Sequence, residues 1–181
     1  HLGESFSSEE GAKQEAESYL HALDEIARRR TRSHVSIKLT QLGIDLSEDL
    51  CRRLFQEIVK KAEAQDTFIR IDMESSAYTN KTIKLYLGLL ERFSNIGIAI
   101  QACLYRSEND IKMMLDRGGK VRLVKGAYLE SKHVAYQRKT DVDSNYIKLM
   151  KMMLNKNALK KGCHIAIATH DLYLLETAYE L

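Results

Sequence analysis

The chain has 181 residues and a mass of 20.8 kDa, one domain's length and enough for a sizeable core. Its 44% hydrophobic and 29% charged residues exclude a disordered tail, a collagen-like chain and a disulfide mini-scaffold. The net charge of +3, from 28 basic and 25 acidic residues, is too balanced to argue for nucleic acid, and no apolar run nears the ~18 residues of a membrane span.

From the N-terminus, His1-Leu-Gly-Glu-Ser5 lacks the basic and apolar regions of a secretory signal peptide. Ser7-x-x-Glu10 reads as a capping box, and Ala12, Ala16, Tyr19, Leu20, Leu23, Ile26 and Ala27 follow it at helical spacing. The basic run Arg28–Arg32 reads as a solvated loop before a strand at His34–Leu39. Ser47 opens a helix with Leu50, Leu54, Phe55, Ile58 and Ala62 on one face, and strand character returns at Thr67–Met73. Ile83, Tyr86, Leu87, Leu90 and Phe93 predict the next helix, and Gly97–Cys103 the next strand. A short helix after Ser107 stops at Gly118-Gly119, before a strand at Lys120–Gly126. A longer helix is predicted over Asp143–Leu154, where Met150, Met152 and Met153 read as packing. A strand follows at His164–Thr169, and then a last helix capped by Asp171.

Such alternation predicts an α/β protein with parallel strands joined by right-handed crossovers. An open doubly wound sheet and a (β/α)8 TIM barrel both satisfy it. No Gly-x-Gly-x-x-Gly follows a strand and no phosphate-loop motif occurs, which counts against a dinucleotide-binding unit or a P-loop protein. Cys51, Cys103 and Cys163 are an odd count without a Cys-x-x-Cys pair, predicting reduced thiols in a reducing compartment. With His133 and His164 lacking partners at ligand spacing, no metal site is expected.

Strand residues alternate between two faces. Val35, Ile37 and Leu39; Ile69, Ile71 and Met73; Ile98 and Ile100; Val121 and Leu123; Ile165 and Ile167 form a uniformly apolar set, expected under the helices. The opposite set contains Ser36, Lys38, Arg70, Asp72, Glu74, Gln101, Arg122 and His170, with its polar members near the carboxyl ends of strands, where parallel α/β proteins build their sites. Lys38 and Asp72 are also readable as an internal salt bridge, and His170 as a hydrogen-bonded rim histidine. Polar positions recurring at similar depth on five strands favour a site.

The strings Ser36-Ile-Lys-Leu39, Ile71-Asp-Met-Glu74, Gln101-Ala-Cys-Leu-Tyr-Arg106, Arg122-Leu-Val-Lys-Gly-Ala-Tyr128 and Ala168-Thr-His170 resemble, in order and spacing, the proline dehydrogenase family, and most of all its monofunctional bacterial type. The resemblance covers nearly the whole chain. It implies a (β/α)8 barrel, from the end of a first strand at Leu2-Gly-Glu4 through the helix after the sixth. It also implies FAD, oxidation of L-proline to 1-pyrroline-5-carboxylate by hydride transfer to flavin N5, and electrons passed to a membrane quinone. The location implied is cytoplasmic, with peripheral association at the inner face of the membrane left open.

By the same resemblance Lys38 matches the lysine that pairs with the proline carboxylate, and Asp72 and Arg122 match catalytic residues. Met73, Gln101, Arg122, Lys125, Gly126, Ala127, Thr169 and His170 match FAD contacts, and Tyr128 a tyrosine lining the substrate pocket. Lys125-Gly-Ala127 would offer FAD a cation and a bare backbone. Cys103 departs from the aromatic of many members. The family continues through two further strands and a helix bearing an Arg-Arg pair, so the expectation is one barrel domain over residues 1–181, incomplete at both ends. Two other functions fit the residues: another barrel oxidoreductase or lyase acting on a small carboxylic acid, and a truncated, non-catalytic module binding a partner through its strand edges.

Overall fold

The expected alternation is present in the computed structural model, which describes residues 8–181 and has five strands, each in a parallel pair, and seven helices among them. The strand end at Leu2-Gly-Glu4 and the cap at Ser7 lie outside the described residues. The chain divides into two compact units. One takes in the described residues up to Asp72 with Glu91–Ile96, the other Met73–Leu90 with Gly97–Leu181.

In the first unit, α1 (Glu9–Arg29) is capped by Ser8, whose hydroxyl accepts the Gly11 N–H at 3.1 Å. This cap is one residue later than the box predicted at Ser7. Glu9 and Glu10 stand in the first turn, at the positive end of the helix dipole. At the other end Arg28 and Arg29 belong to the helix, not to the loop expected there, and pair with Glu25 at 2.7 and 3.0 Å. Cationic side chains favour a helix C-terminus, which explains the two extra residues.

β1 (His34–Ile37) and β2 (Phe68–Ile71) pair in parallel, with Val35 opposite Ile69 and Ile37 opposite Ile71. Between them α2 (Glu48–Ala64) starts at Ser47, which accepts the Leu50 N–H at 3.3 Å, and buries Leu50, Cys51, Leu54, Phe55, Ile58 and Val59. Lys61 of α2 reaches Asp24 of α1 at 2.7 Å. The Asn95 amide donates to the carbonyls of Val59 and Thr67 at 3.3 and 3.2 Å.

In the second unit, α3 (Ser76–Leu90) ends short of the predicted Phe93, which belongs to the first unit's Glu91–Ile96 segment and is buried outside the helix, after a turn. β3 (Ile96–Gln101), taken from Gly97 onward, pairs in parallel with β4 (Lys120–Val124), and β4 with β5 (His164–Ala168). Between them lie α4 (Ser107–Asp116), α5 (Lys139–Met153) and α6 (Lys156–Lys160), and α7 (Leu172–Tyr179) follows β5. The start of α5 precedes the expected Asp143 because Arg138–Asp141 at 2.7 Å and Lys139–Asp143 at 2.5 Å support another turn. α6 has no counterpart in the sequence prediction. Asn155 caps it by accepting the N–H groups of Asn157 and Ala158.

The apolar strand set is buried as expected on β3 and β4, and Met150 and Met153 are core residues. Ile165 and Ile167 are an exception, being only half-buried, since among the described residues β5 pairs with β4 alone. Tyr146 of α5 ties these two strands together. Its hydroxyl donates to the Leu123 carbonyl at 2.8 Å and accepts the Ala168 N–H at 3.2 Å, and burial pushes its pKa up to about 12.

Candidate active site

Lys38 and Asp72 each follow directly on a strand end, those of β1 and β2. The Asp72 N–H donates to the Ile37 carbonyl at 2.9 Å, which continues the ladder one step and holds Asp72 beside the end of β1. Lys38 Nζ then reaches Asp72 Oδ2 at 3.2 Å. The lysine side chain is 38% exposed and the aspartate 20%. An ammonium carries three donors and Asp72 takes one, so salt bridge and anion grip are compatible in the same lysine. Arg70, by contrast, is buried, with its guanidinium 4.9 Å from the centre of the Phe68 ring.

In the second unit Arg122 stands in mid-β4, half-buried, with Ala99 and Ala166 opposite it in register on either side. Two methyl side chains beside it leave room for a guanidinium on that face. Gln101 ends β3 and is 2% exposed, its amide donating to the Glu74 carbonyl at 2.9 Å, while Met73 is buried. Gly126 has φ 118, and a Cβ there would collide with Cys103 Sγ and sit 3.3 Å from Gln101 Oε1. Only glycine lets the chain pass so close to these side chains. Ala127 and Tyr128 follow in the same loop, both exposed.

Lys125 is placed differently from the open cation expected. Its ammonium lies between Asp143 at 2.6 Å and Asp171 at 2.8 Å, and Lys139 contacts the same two carboxylates at 2.5 and 2.8 Å. Hydrogen bonds from Lys125 and Lys139 hold the Asp171 carboxyl far below the usual aspartate range. Burial alone would raise Asp143, but the same lysines outweigh it and lower this carboxyl too. Asp171 occupies the cap position of α7 as predicted, yet its side chain makes no cap hydrogen bond, being committed to the lysines. The Thr169 hydroxyl accepts the Asp171 N–H at 3.1 Å, and His170 is exposed on this pinned turn.

Asp143 and Lys139 were not singled out by sequence reasoning, although their i,i+4 spacing was there to find. Glu130, whose carboxylate meets Ser76, had no local signal at all. Among the described residues no three His, Cys, Asp or Glu side chains are grouped as a metal site.

A family model described as Proline dehydrogenase matches residues 1–181. The chain belongs to the proline dehydrogenase family. It is 37% identical over 182 residues to Proline dehydrogenase 2 of Bacillus subtilis strain 168, covering 100% of this chain and 58% of that protein. Proline dehydrogenase 1 of the same strain is 39% identical over 171 residues, covering 94% and 55%. The chain thus spans little more than half the length of these curated relatives. Among solved structures, proline utilization A from Bdellovibrio bacteriovorus superposes with a TM-score of 0.86 at 24% identity, covering 98% of this chain and 23% of that one. A bifunctional proline utilization A protein also gives 0.86, at 22% identity. The fold is therefore of the TIM-barrel type, which decides between the two architectures that alternation left open.

Proposed function

We propose that this chain carries active-site strands of a flavin-dependent proline dehydrogenase, which oxidises L-proline to 1-pyrroline-5-carboxylate and passes the electrons to a quinone. The observation that carries this reading is the cradle at Gly126, where a glycine at positive φ presses against Cys103 and Gln101. It leaves a bare, exposed backbone at Gly126–Ala127 near a polar amide. Arg122, flanked by alanines, the half-buried Thr169 and the exposed His170 complete a donor set that fits FAD.

FAD, when bound, supplies the hydride acceptor at N5. In the first unit Lys38 pairs with the proline carboxylate, and Asp72 orients Lys38 without acting as a base. The substrate amine loses its proton to solvent. In the second unit Arg122 provides a fixed positive charge and N–H donors against the negative charge that the reaction builds. Met73, Gln101, Gly126, Ala127, Thr169 and His170 hold the cofactor, and Tyr128 lines the substrate pocket. Lys125 serves through the Asp143–Asp171–Lys139 cluster, which supports the cofactor-holding turn.

No described helix is long and apolar enough to cross a membrane. With a quinone as acceptor, a cytoplasmic enzyme would work by peripheral contact with the inner face of the membrane. The experiment is an assay of the full-length protein with L-proline and a soluble quinone, trapping the product with o-aminobenzaldehyde. A yellow protein that forms pyrroline-5-carboxylate supports the proposal. A colourless protein, or a yellow one inert with proline and active on another small carboxylic acid, overturns it.

A further inference from the structure

Glu130 lies in the loop between β4 and α5, two positions past Tyr128. Its carboxylate accepts both the backbone N–H of Ser76, at 2.7 Å, and the Ser76 hydroxyl, at 2.6 Å. Ser76 is the first residue of α3, a helix with no acidic residue in its own first turn. A helix N-terminus leaves N–H groups without intrahelical partners and favours negative charge. Glu130 meets both needs from 54 residues away.

The two segments that Glu130 joins are ones the site uses. Ser76 follows Met73 and Glu74, and the Glu74 carbonyl holds the Gln101 amide at 2.9 Å. Beyond Glu130 the loop is well secured: Leu104 and Ala135 form an isolated bridge, Tyr105 donates to the Lys132 carbonyl at 3.0 Å, and Tyr105 and Tyr136 meet edge to face at 4.7 Å. Gln137 donates to the Glu130 carbonyl at 3.2 Å. Before Glu130, the residues Gly126–Leu129 are exposed, Leu129 wholly so. Glu130 thus stands between the contacts at Lys132–Gln137 and Tyr128, two positions before it in the same loop.

We propose that Glu130 is a positioning residue for substrate binding: its clasp on Ser76 sets where Tyr128 stands relative to the Met73–Glu74 segment and Gln101. The inference rests on the proline dehydrogenase reading above. It assigns Glu130 no contact with substrate, and its effect falls on binding more than on the chemical step.

The test uses full-length Glu130→Ala, Glu130→Gln and Ser76→Ala proteins. Steady-state kinetics with L-proline are set beside affinity for tetrahydrofuran-2-carboxylate, which keeps the ring and carboxylate of proline and cannot be oxidised in the same way. Glu130→Ala should raise KM and weaken the inhibitor about tenfold, with kcat within about threefold of wild type. Glu130→Gln should recover most of the loss, because its amide oxygen can still accept the Ser76 N–H and its NH2 can donate to the hydroxyl. Ser76→Ala, which keeps the N–H contact, should fall between the two. Unchanged KM and inhibitor affinity in Glu130→Ala, with only a lower melting temperature, would make the clasp pure scaffold and overturn the inference. Should Glu130→Ala fail to fold, Ser76→Ala decides in the same way, a raised KM supporting the inference and a wild-type KM overturning it. A wild-type protein inert toward proline overturns the functional reading and this inference together. An active wild type with unaffected variants overturns the inference alone.

Discussion

Lys125 and Asp171 meet at 2.8 Å, joining the residue that follows β4 to the residue that precedes α7. With Asp143 and Lys139 they form an alternating square of charge in which each lysine touches both aspartates. Its members come from a strand end, a helix start and a turn, so the square holds the Thr169–His170 turn to the loop that begins at Lys125.

The pH dependence of this square has a definite sign. Asp171 and Asp143 are depressed below the ordinary aspartate range, so their contribution is fully present above it and is lost as pH falls through the folded-state values. Lys139 is raised by its hydrogen bonds to Asp143 and Asp171, so its contribution is present below the ordinary lysine range and lost only in strong alkali. The wild-type melting temperature should therefore fall as pH drops below about 4, and fall less steeply in Asp171→Asn. Equal slopes in the two proteins would remove the square from the account of acid stability.

Gly126→Ala should be costly. The added Cβ collides with Cys103 Sγ, and φ 118 is a conformation that alanine resists. A loss of about 1–3 kcal/mol in unfolding free energy is expected, together with weaker flavin retention. Pairing it with Cys103→Ala should restore only part, since that removes the clash and leaves the backbone strain. Chemical denaturation of the two proteins gives the comparison.

How much of this was legible in the sequence depends on the range of the interaction. The alternation of Ile37, Ile71, Ile100 and Leu123 with polar neighbours is a local signal, and it located the strands to within a residue or two at their starts. It also put Lys38 and Asp72 near strand ends, where they are found. The strands end earlier than the apolar runs, because Leu39 and Met73 are buried outside the ladder. Long-range partners left no such trace. Asp171 looked like a capping side chain because its position is right, and only the tertiary contact with Lys125 and Lys139 diverts its carboxylate. Glu130 capping α3 is invisible for the same reason.

Lys38→Met separates scaffold from anion grip. The Lys38–Asp72 pair is partly solvated, so losing it should cost about 1 kcal/mol or less of stability. Affinity for tetrahydrofuran-2-carboxylate should fall about ten- to hundredfold, as expected when one charge-assisted contact is removed. A large drop in melting temperature with unchanged affinity would mark the lysine as scaffold.

Arg122→Met keeps approximate length and removes the cation and its donors from mid-β4. Reduction of bound flavin by proline should slow about a hundredfold in single-turnover measurements. The alanines opposite in register, Ala99 and Ala166, offer no replacement donor. Wild-type reduction by the variant would contradict the role assigned to Arg122.

The central claim is that the protein's own flavin takes electrons from proline. Anaerobic titration of the full-length, as-purified protein with L-proline, followed through its visible flavin absorbance, tests that claim most directly. The account predicts progressive bleaching with one pyrroline-5-carboxylate formed for each flavin reduced, and return of the colour on adding a quinone. A spectrum that stays unchanged at saturating L-proline would contradict it.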